Sequence, residues 1–140
     1  MAVKTLSDQQ AWAVIADGKL GRLGCIDHGE PYVVPINYVM HEEMIYSHSL
    51  PGRKIQALRA NPHACLQVDR IQSDLSWQSA IAFGVYEEVE DPAERVTVMR
   101  QLLARFPKLT PVESELAHDS QPPVLVFRLR IDRVSGVAEE

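Results

Sequence analysis

The sequence predicts a mainly β fold: a small closed antiparallel barrel of six strands with short helices at its rim. Three observations lead there. Six extended runs, β-branched or alternating, fill most of the chain between residues 20 and 132. The first three are joined by links too short for a parallel crossover. A sheet of this size would also expose two long edges unless it closed on itself.

The elements follow in order. Ser7-Asp8-Gln9-Gln10 reads as a capping box with Leu6 and Ala11 as a hydrophobic staple, and the helix through Trp12, Val14 and Ile15 stops at Gly18. The period then changes. A first strand over residues 20–26 breaks at Asp27-His28-Gly29, a second covers residues 32–40 up to His41-Glu42-Glu43, and a third covers residues 44–49. Pro35 cannot donate to a ladder, so the second strand is expected at an edge or bulge. Residues 53–60 form a short helix on Ile55, Ala57 and Leu58, ended by Asn61-Pro62.

A fourth strand spans residues 64–69, and after a polar link over 70–76 a fifth spans 79–89, with Gly84 as a bulge or close-approach point. Asp91-Pro92-Ala93-Glu94 caps a further helix whose Val96, Met99, Leu103 and Phe106 are read as one packing face. Residues 107–123 read as irregular. In the sixth strand, over 124–132, Leu125, Phe127, Leu129 and Ile131 point inward while Arg128 and Arg130 point outward.

At 140 residues the chain fits one domain with a sizeable core. Its 14 Lys and Arg against 19 Asp and Glu give a net charge of −5, which excludes a general nucleic-acid binder and makes any cationic site local. Cys25 and Cys65 form no CxxC and follow no secretory leader, so they read as two buried reduced thiols in a cytoplasmic setting. No apolar run approaches a membrane span. Zinc-type spacings are missing, Glu42-Glu43 beside His41 reads as a solvated turn, and no serine sits in a G-x-S-x-G context. His28, His41, His63 and His118 receive no role.

The run Tyr46-Ser47-His48-Ser49-Leu50-Pro51-Gly52-Arg53-Lys54 carries the chemistry. A strand that delivers a glycine and two adjacent cations to a helix start offers backbone N–H groups, the positive dipole end and fixed charge to one anion. Cations there oppose the helix dipole by about 0.3–1 kcal/mol each, so an anion nearby is expected. With Tyr46 and His48 able to line a flat aromatic body, that anion is read as the phosphate of a cofactor.

Val34-Pro35-Ile36-Asn37-Tyr38, Tyr46-Ser47-His48-Ser49, Gly52-Arg53-Lys54, Asn61-Pro62, Trp77-Gln78-Ser79, Gly84 and a closing Ile131-Asp132-Arg133-Val134-Ser135-Gly136 occur in an informative order. Over residues 7–136 the chain resembles the flavin-binding split-barrel family related to pyridoxamine 5′-phosphate oxidase, and within it the branch that includes 5-nitroimidazole resistance proteins. The resemblance implies a six-stranded antiparallel split β-barrel with Greek-key features and peripheral helices. It also implies a homodimer with FMN at the subunit interface.

By that resemblance Arg53 and Lys54 hold the phosphate, while Pro35, Ile36, Asn37 and Tyr38 flank the isoalloxazine. Tyr46, Ser47, His48 and Ser49 lie beside phosphate and ring, and Trp77 and Ser79 reach the cofactor from the fifth strand. His48 is the candidate catalytic residue. Strand two lacks the basic residues of the oxidase proper, and its C-terminal arginine and histidine motif is absent, so vitamin B6 oxidation is not expected. The expected activity is reduction of a small nitroaromatic or quinone by NAD(P)H. The alternatives are a flavin-storing or redox-sensing module, or a haem or deazaflavin binder with His48 as the axial ligand.

Overall fold

The computed structural model describes residues 3–106 and 124–140, and in it one antiparallel sheet forms the body of the molecule. In chain order the elements are β1 (Val3–Thr5), α1 (Asp8–Asp17), β2 (Leu20–Asp27), β3 (Glu30–Asn37), β4 (Val39–His41) and β5 (Met44–Ser49). After them come α2 (Arg53–Ala60), β6 (His63–Ser73), β7 (Ser76–Glu88), α3 (Pro92–Arg105) and β8 (Leu125–Glu139). The strands lie in the order β3-β2-β6-β7-β8-β5-β4, with β1 paired to β8. The sheet curls until β5 meets the end of β3, where Ser47 Oγ donates to the Asn37 carbonyl at 2.6 Å. This seam is the split of the barrel.

Local signals explain much of this. Ser7 and Gln10 form the capping box of α1, and the Gly18 N–H closes its other end on the Val14 and Ile15 carbonyls. Asp91 caps α3 through the Glu94 N–H, with proline in the first turn. Pro35 lies in β3, an edge strand, where its missing donor costs no ladder bond. Phe83 pairs with Arg133 but Gly84 with Ile131, so Asp132 is the extra residue of a bulge opposite Gly84.

The barrel has eight strands rather than six. One addition is β1, three exposed residues too short to show a period, held by the extension of β8 to Glu139. The other arises because the run read as a single second strand breaks at Tyr38. That ring turns into the core and its hydroxyl donates to the Ile15 carbonyl at 2.5 Å. The polar stretch read as a link is the far end of the β6–β7 hairpin, whose strands continue to Ser73 and from Ser76. The irregular stretch at 107–123 lies outside the described residues.

Leu23, Ile45, Leu66, Phe127 and Leu129 form the interior with Val14 and Ile15 of α1 and Ile55 and Leu58 of α2. A second cluster lies under α3, where Val98 and Leu102 pack on Val39, Tyr46 and Val126. The expected face of α3 is therefore corrected. Met99 and Phe106 border the buried stripe, whereas Val96 and Leu103 are 50% and 40% exposed. Two apolar stripes overlap on this helix, and the position of Tyr46 and Val126 selects the one that turns inward.

Two-residue turns close the β2–β3 and β4–β5 hairpins, with positive φ at His28 and Gly29 and at Glu42 and Glu43. Glutamate is poorly suited to that region, whereas Asn-Gly adopts it readily. Replacing Glu42-Glu43 by Asn-Gly is expected to stabilise the protein by about 1–2 kcal/mol. A higher urea midpoint at unchanged m-value is the measurement that checks it.

Candidate functional site

The seam between β3 and the β5–α2 corner gathers most of the expected residues. Gly52 is the N-cap of α2 in extended backbone, and no side chain among the described residues caps the amides it leads into. A Cβ at Gly52 would have its nearest neighbour, the Leu50 carbonyl oxygen, at 4.0 Å, so the approach to the helix start is open. Arg53 begins the helix and Lys54, partly buried, follows it.

Arg53 does not stand bare at that corner. Its Nε donates to Asp27 Oδ2 at 2.6 Å, and its guanidinium lies 4.3 Å from the centre of the Tyr32 ring. The other carboxylate oxygen of Asp27 is 2.8 Å from His28 Nδ1. The Arg53 hydrogen bond, then that of His28, holds the Asp27 carboxyl below the usual carboxylate range. The anion expected near the two cations is thus supplied in part by the chain itself. The Arg53 side chain is nonetheless 64% exposed.

A hollow of about 350 Å³ opens beside Tyr32. It is walled by Gly24, Ile26, Val33, Cys65 and Phe83 from β2, β3, β6 and β7, and is almost wholly apolar. Gly24 keeps it open, because a Cβ there would lie 2.8 Å from Cys65 Sγ. Cys25 is buried as expected, but Cys65 is only partly so, and burial pushes both thiols up.

The remaining expected residues divide. Pro35 and Asn37 are exposed along the outer side of β3, whereas Ile36 and Tyr38 point into the core. Burial pushes the Tyr38 hydroxyl up to about 12. Tyr46 is buried under α3, and His48, two residues on and on the same side of β5, is partly buried with both ring nitrogens shielded from solvent. Ser47 ties the seam, and Ser49 donates to the Leu50 carbonyl at 2.7 Å.

Trp77 and Ser79 lie toward the end of β7 away from the α2 corner. Trp77 pairs with Glu139 and its indole donates to that carboxylate at 2.9 Å, while Ser79 Oγ accepts from Gln67 at 2.9 Å. The β5 register meets β8 at residues 125–130, so Ser79 is some nine residues, roughly 30 Å, along β7 from the corner. Asp27, Tyr32 and Phe83 went unnoticed in the sequence. The pairing of Asp27 with Arg53, 26 residues on, leaves no periodic trace. Among the described residues no group of three or more His, Cys, Asp or Glu side chains is placed to hold a metal ion. No described helix is long and apolar enough to cross a membrane.

Comparison with known proteins matches residues 7–138 to the family model described as pyridoxamine 5′-phosphate oxidase. The uncharacterized protein RA0666 of Rhizobium meliloti (strain 1021) is 33% identical over 150 residues, covering 99% of this chain and 96% of its own length. A crystal structure described as a FAD-binding protein (mll6688) from Mesorhizobium loti is 32% identical with a TM-score of 0.81, covering 100% of both chains. One described as a candidate 5-nitroimidazole antibiotic resistance protein, from Bacteroides thetaiotaomicron VPI-5482, is 25% identical with a TM-score of 0.74, covering 100% of this chain and 93% of its own.

Proposed function

Because the chain belongs to the pyridoxamine 5′-phosphate oxidase family, we propose that it binds a flavin nucleotide in the seam between β3 and the β5–α2 corner. The observation that carries this reading is the corner itself. Arg53 lies over the Tyr32 ring on a largely exposed side chain, beside a helix start with no side-chain cap and an apolar hollow. Arg53, Lys54 and the first amides of α2 hold the phosphate, and the outer edge of β3 at Pro35 and Asn37 borders the ring. FMN is the smallest flavin that satisfies this arrangement. FAD is the second reading, favoured by the description of the Mesorhizobium loti structure.

The residues present fit such a group. The Gly52 approach is open, the corner is cationic, and the adjoining wall is apolar. A bound flavin would supply two-electron redox chemistry between NAD(P)H and a small acceptor of nitroaromatic or quinone type. The chain's own part is to fix the phosphate and to exclude water from the ring through Val33 and Phe83. His48 lines β5 beside the seam, with both ring nitrogens shielded from solvent.

A homodimer completes the proposal. The outward side of the sheet carries exposed Val33, Ile71 and Val137, which a second copy would cover, and Trp77 and Ser79 on the same side are assigned to the flavin of that copy. An absorbance spectrum after incubation with excess FMN or FAD and removal of free flavin is expected to show a bound flavin. Anaerobic NADH or NADPH is then expected to bleach it and a nitroaromatic or quinone to restore it. Protein that retains no flavin sinks the binding reading; retained flavin that NAD(P)H cannot reduce leaves a binder without this turnover.

A further inference from the structure

One unbroken row crosses the outward side of the sheet. Val33, Gly24, Cys65, Phe83 and Arg133 are successive cross-strand partners on β3, β2, β6, β7 and β8, so their side chains share one face. Gly24 has no side chain, and the row dips there between Val33 on one side and Cys65 and Phe83 on the other. That dip is the floor of the apolar hollow. At about 350 Å³ it lies at the small end of ligand pockets, roughly 300–1,000 Å³, and suits a body of one or two rings.

Arg133 ends the row, with its guanidinium 3.7 Å from the centre of the Phe83 ring. Arg22, Arg59 and Arg128 commit their donors to carboxylates, whereas Arg133 makes no ion pair or hydrogen bond among the described residues. A cation–π contact holds a guanidinium in place without using its N–H groups, which remain able to grip a carboxylate in a bidentate pair. An anion in the hollow would also meet no like charge on its wall, since no Asp or Glu is among the described residues that line it. The phosphate seat does not compete for this cation. Arg53 sits over Tyr32 of β3, and β3 and β8 are four strand spacings apart, roughly 19 Å around the sheet. With the flavin ring along Pro35 and Asn37, the Phe83 end of the hollow is left to a second ligand.

Resting on the flavin reading above, we propose that the hollow is the pocket for the small molecule that meets the flavin, and that this molecule is a small aromatic carboxylate. Its flat body lies over Gly24 between Val33 and Phe83, and its carboxylate pairs with Arg133, which thereby determines specificity.

Calorimetric titration of 4-nitrobenzoate and of 4-nitrobenzamide, which has a similar flat body without the charge, into the flavin-loaded full chain tests this. The proteins are wild type, Arg133→Gln and Val33→Trp, both substitutions being at exposed positions. Wild type is expected to prefer the carboxylate by about tenfold or more, and Arg133→Gln to lose that preference, the scale of a lost charged hydrogen bond. Affinity for the amide should stay within about twofold in Arg133→Gln, because no charge-assisted contact is removed. Val33→Trp, which narrows the hollow itself, should weaken both ligands together. Equal affinity for the two ligands in wild type, a preference that survives Arg133→Gln, or unchanged affinities in Val33→Trp overturns the proposal. So does wild-type protein that takes up neither ligand, the result expected if a second copy of the chain fills the hollow. Release of flavin as 4-nitrobenzoate binds overturns it too, because the flavin ring then occupies the hollow. Repeating the titration on protein without flavin scores the flavin reading apart: a preference carried by Arg133 in a chain that retains no flavin upholds the pocket and removes that reading alone.

Discussion

Replacing Arg53 and Lys54 together by alanine weakens binding of a flavin nucleotide by about 1.5–3 kcal/mol, the scale of lost charged hydrogen bonds, or roughly tenfold to 150-fold in dissociation constant. Riboflavin, which has no phosphate, should bind the double variant almost as well as it binds wild type. The contrast separates the seat from the ring wall, because the substitutions leave the hollow beside Tyr32 intact. The substitutions also leave Asp27 without its Arg53 partner while His28 stays in contact. A thermal melt must therefore accompany the titration, so that a folding defect is not read as lost affinity. Arg53→Lys alone isolates geometry from charge: it keeps the cation but loses the planar fork that spans Asp27 and an anion at once. Unchanged FMN and FAD affinity in the folded double variant removes the phosphate assignment.

The features that were legible in the sequence are those written within a few residues. Ser7 with Gln10, Asp91 with Pro92, Pro35 on an edge and Gly84 at a bulge each state a local backbone requirement, and each requirement is met. What was hidden depends on partners distant along the chain. β1 exists because β8 continues far enough to pair with it, and the break at Tyr38 exists because Ile15 offers a buried carbonyl. The packing face of α3 was settled by Tyr46 and Val126. The same division runs through the candidate site. Arg53 and Lys54 were visible as a cationic pair at a helix start, but a charge pair says nothing about what already neutralises it, and only the hairpin geometry brings Asp27 to Arg53.

Gly84→Ala is expected to destabilise the protein by about 3 kcal/mol, the upper end of overpacking penalties. A methyl carbon at Gly84 would lie 2.3 Å from the Arg130 carbonyl oxygen, 2.9 Å from its carbon and 3.1 Å from Ile131 Cα. All three obstructing atoms are backbone, so no side-chain rotation relieves the contact. Relief requires β7 and β8 to separate, and that ladder carries Phe127 and Leu129 of the interior along with the pairing of Arg128 and Arg130 to Glu87. Gly52→Ala is the matched control, since its Cβ meets nothing closer than 4.0 Å and its φ of 175° suits any residue. At this chain length a 3 kcal/mol loss corresponds to a drop in Tm of roughly 10 °C, against less than about 2 °C for the control. A Gly84→Ala protein that melts with wild type would mean that the bulge at Asp132 can absorb the methyl group. Saturating flavin nucleotide raises Tm by mass action on the native state, and because a methyl at Gly84 would meet the Arg130 backbone rather than the hollow lined by its neighbour Phe83, the increment should be nearly equal in wild type and Gly84→Ala. A smaller increment in the variant would show that the β7–β8 ladder, through β5, also holds the α2 corner in its binding shape.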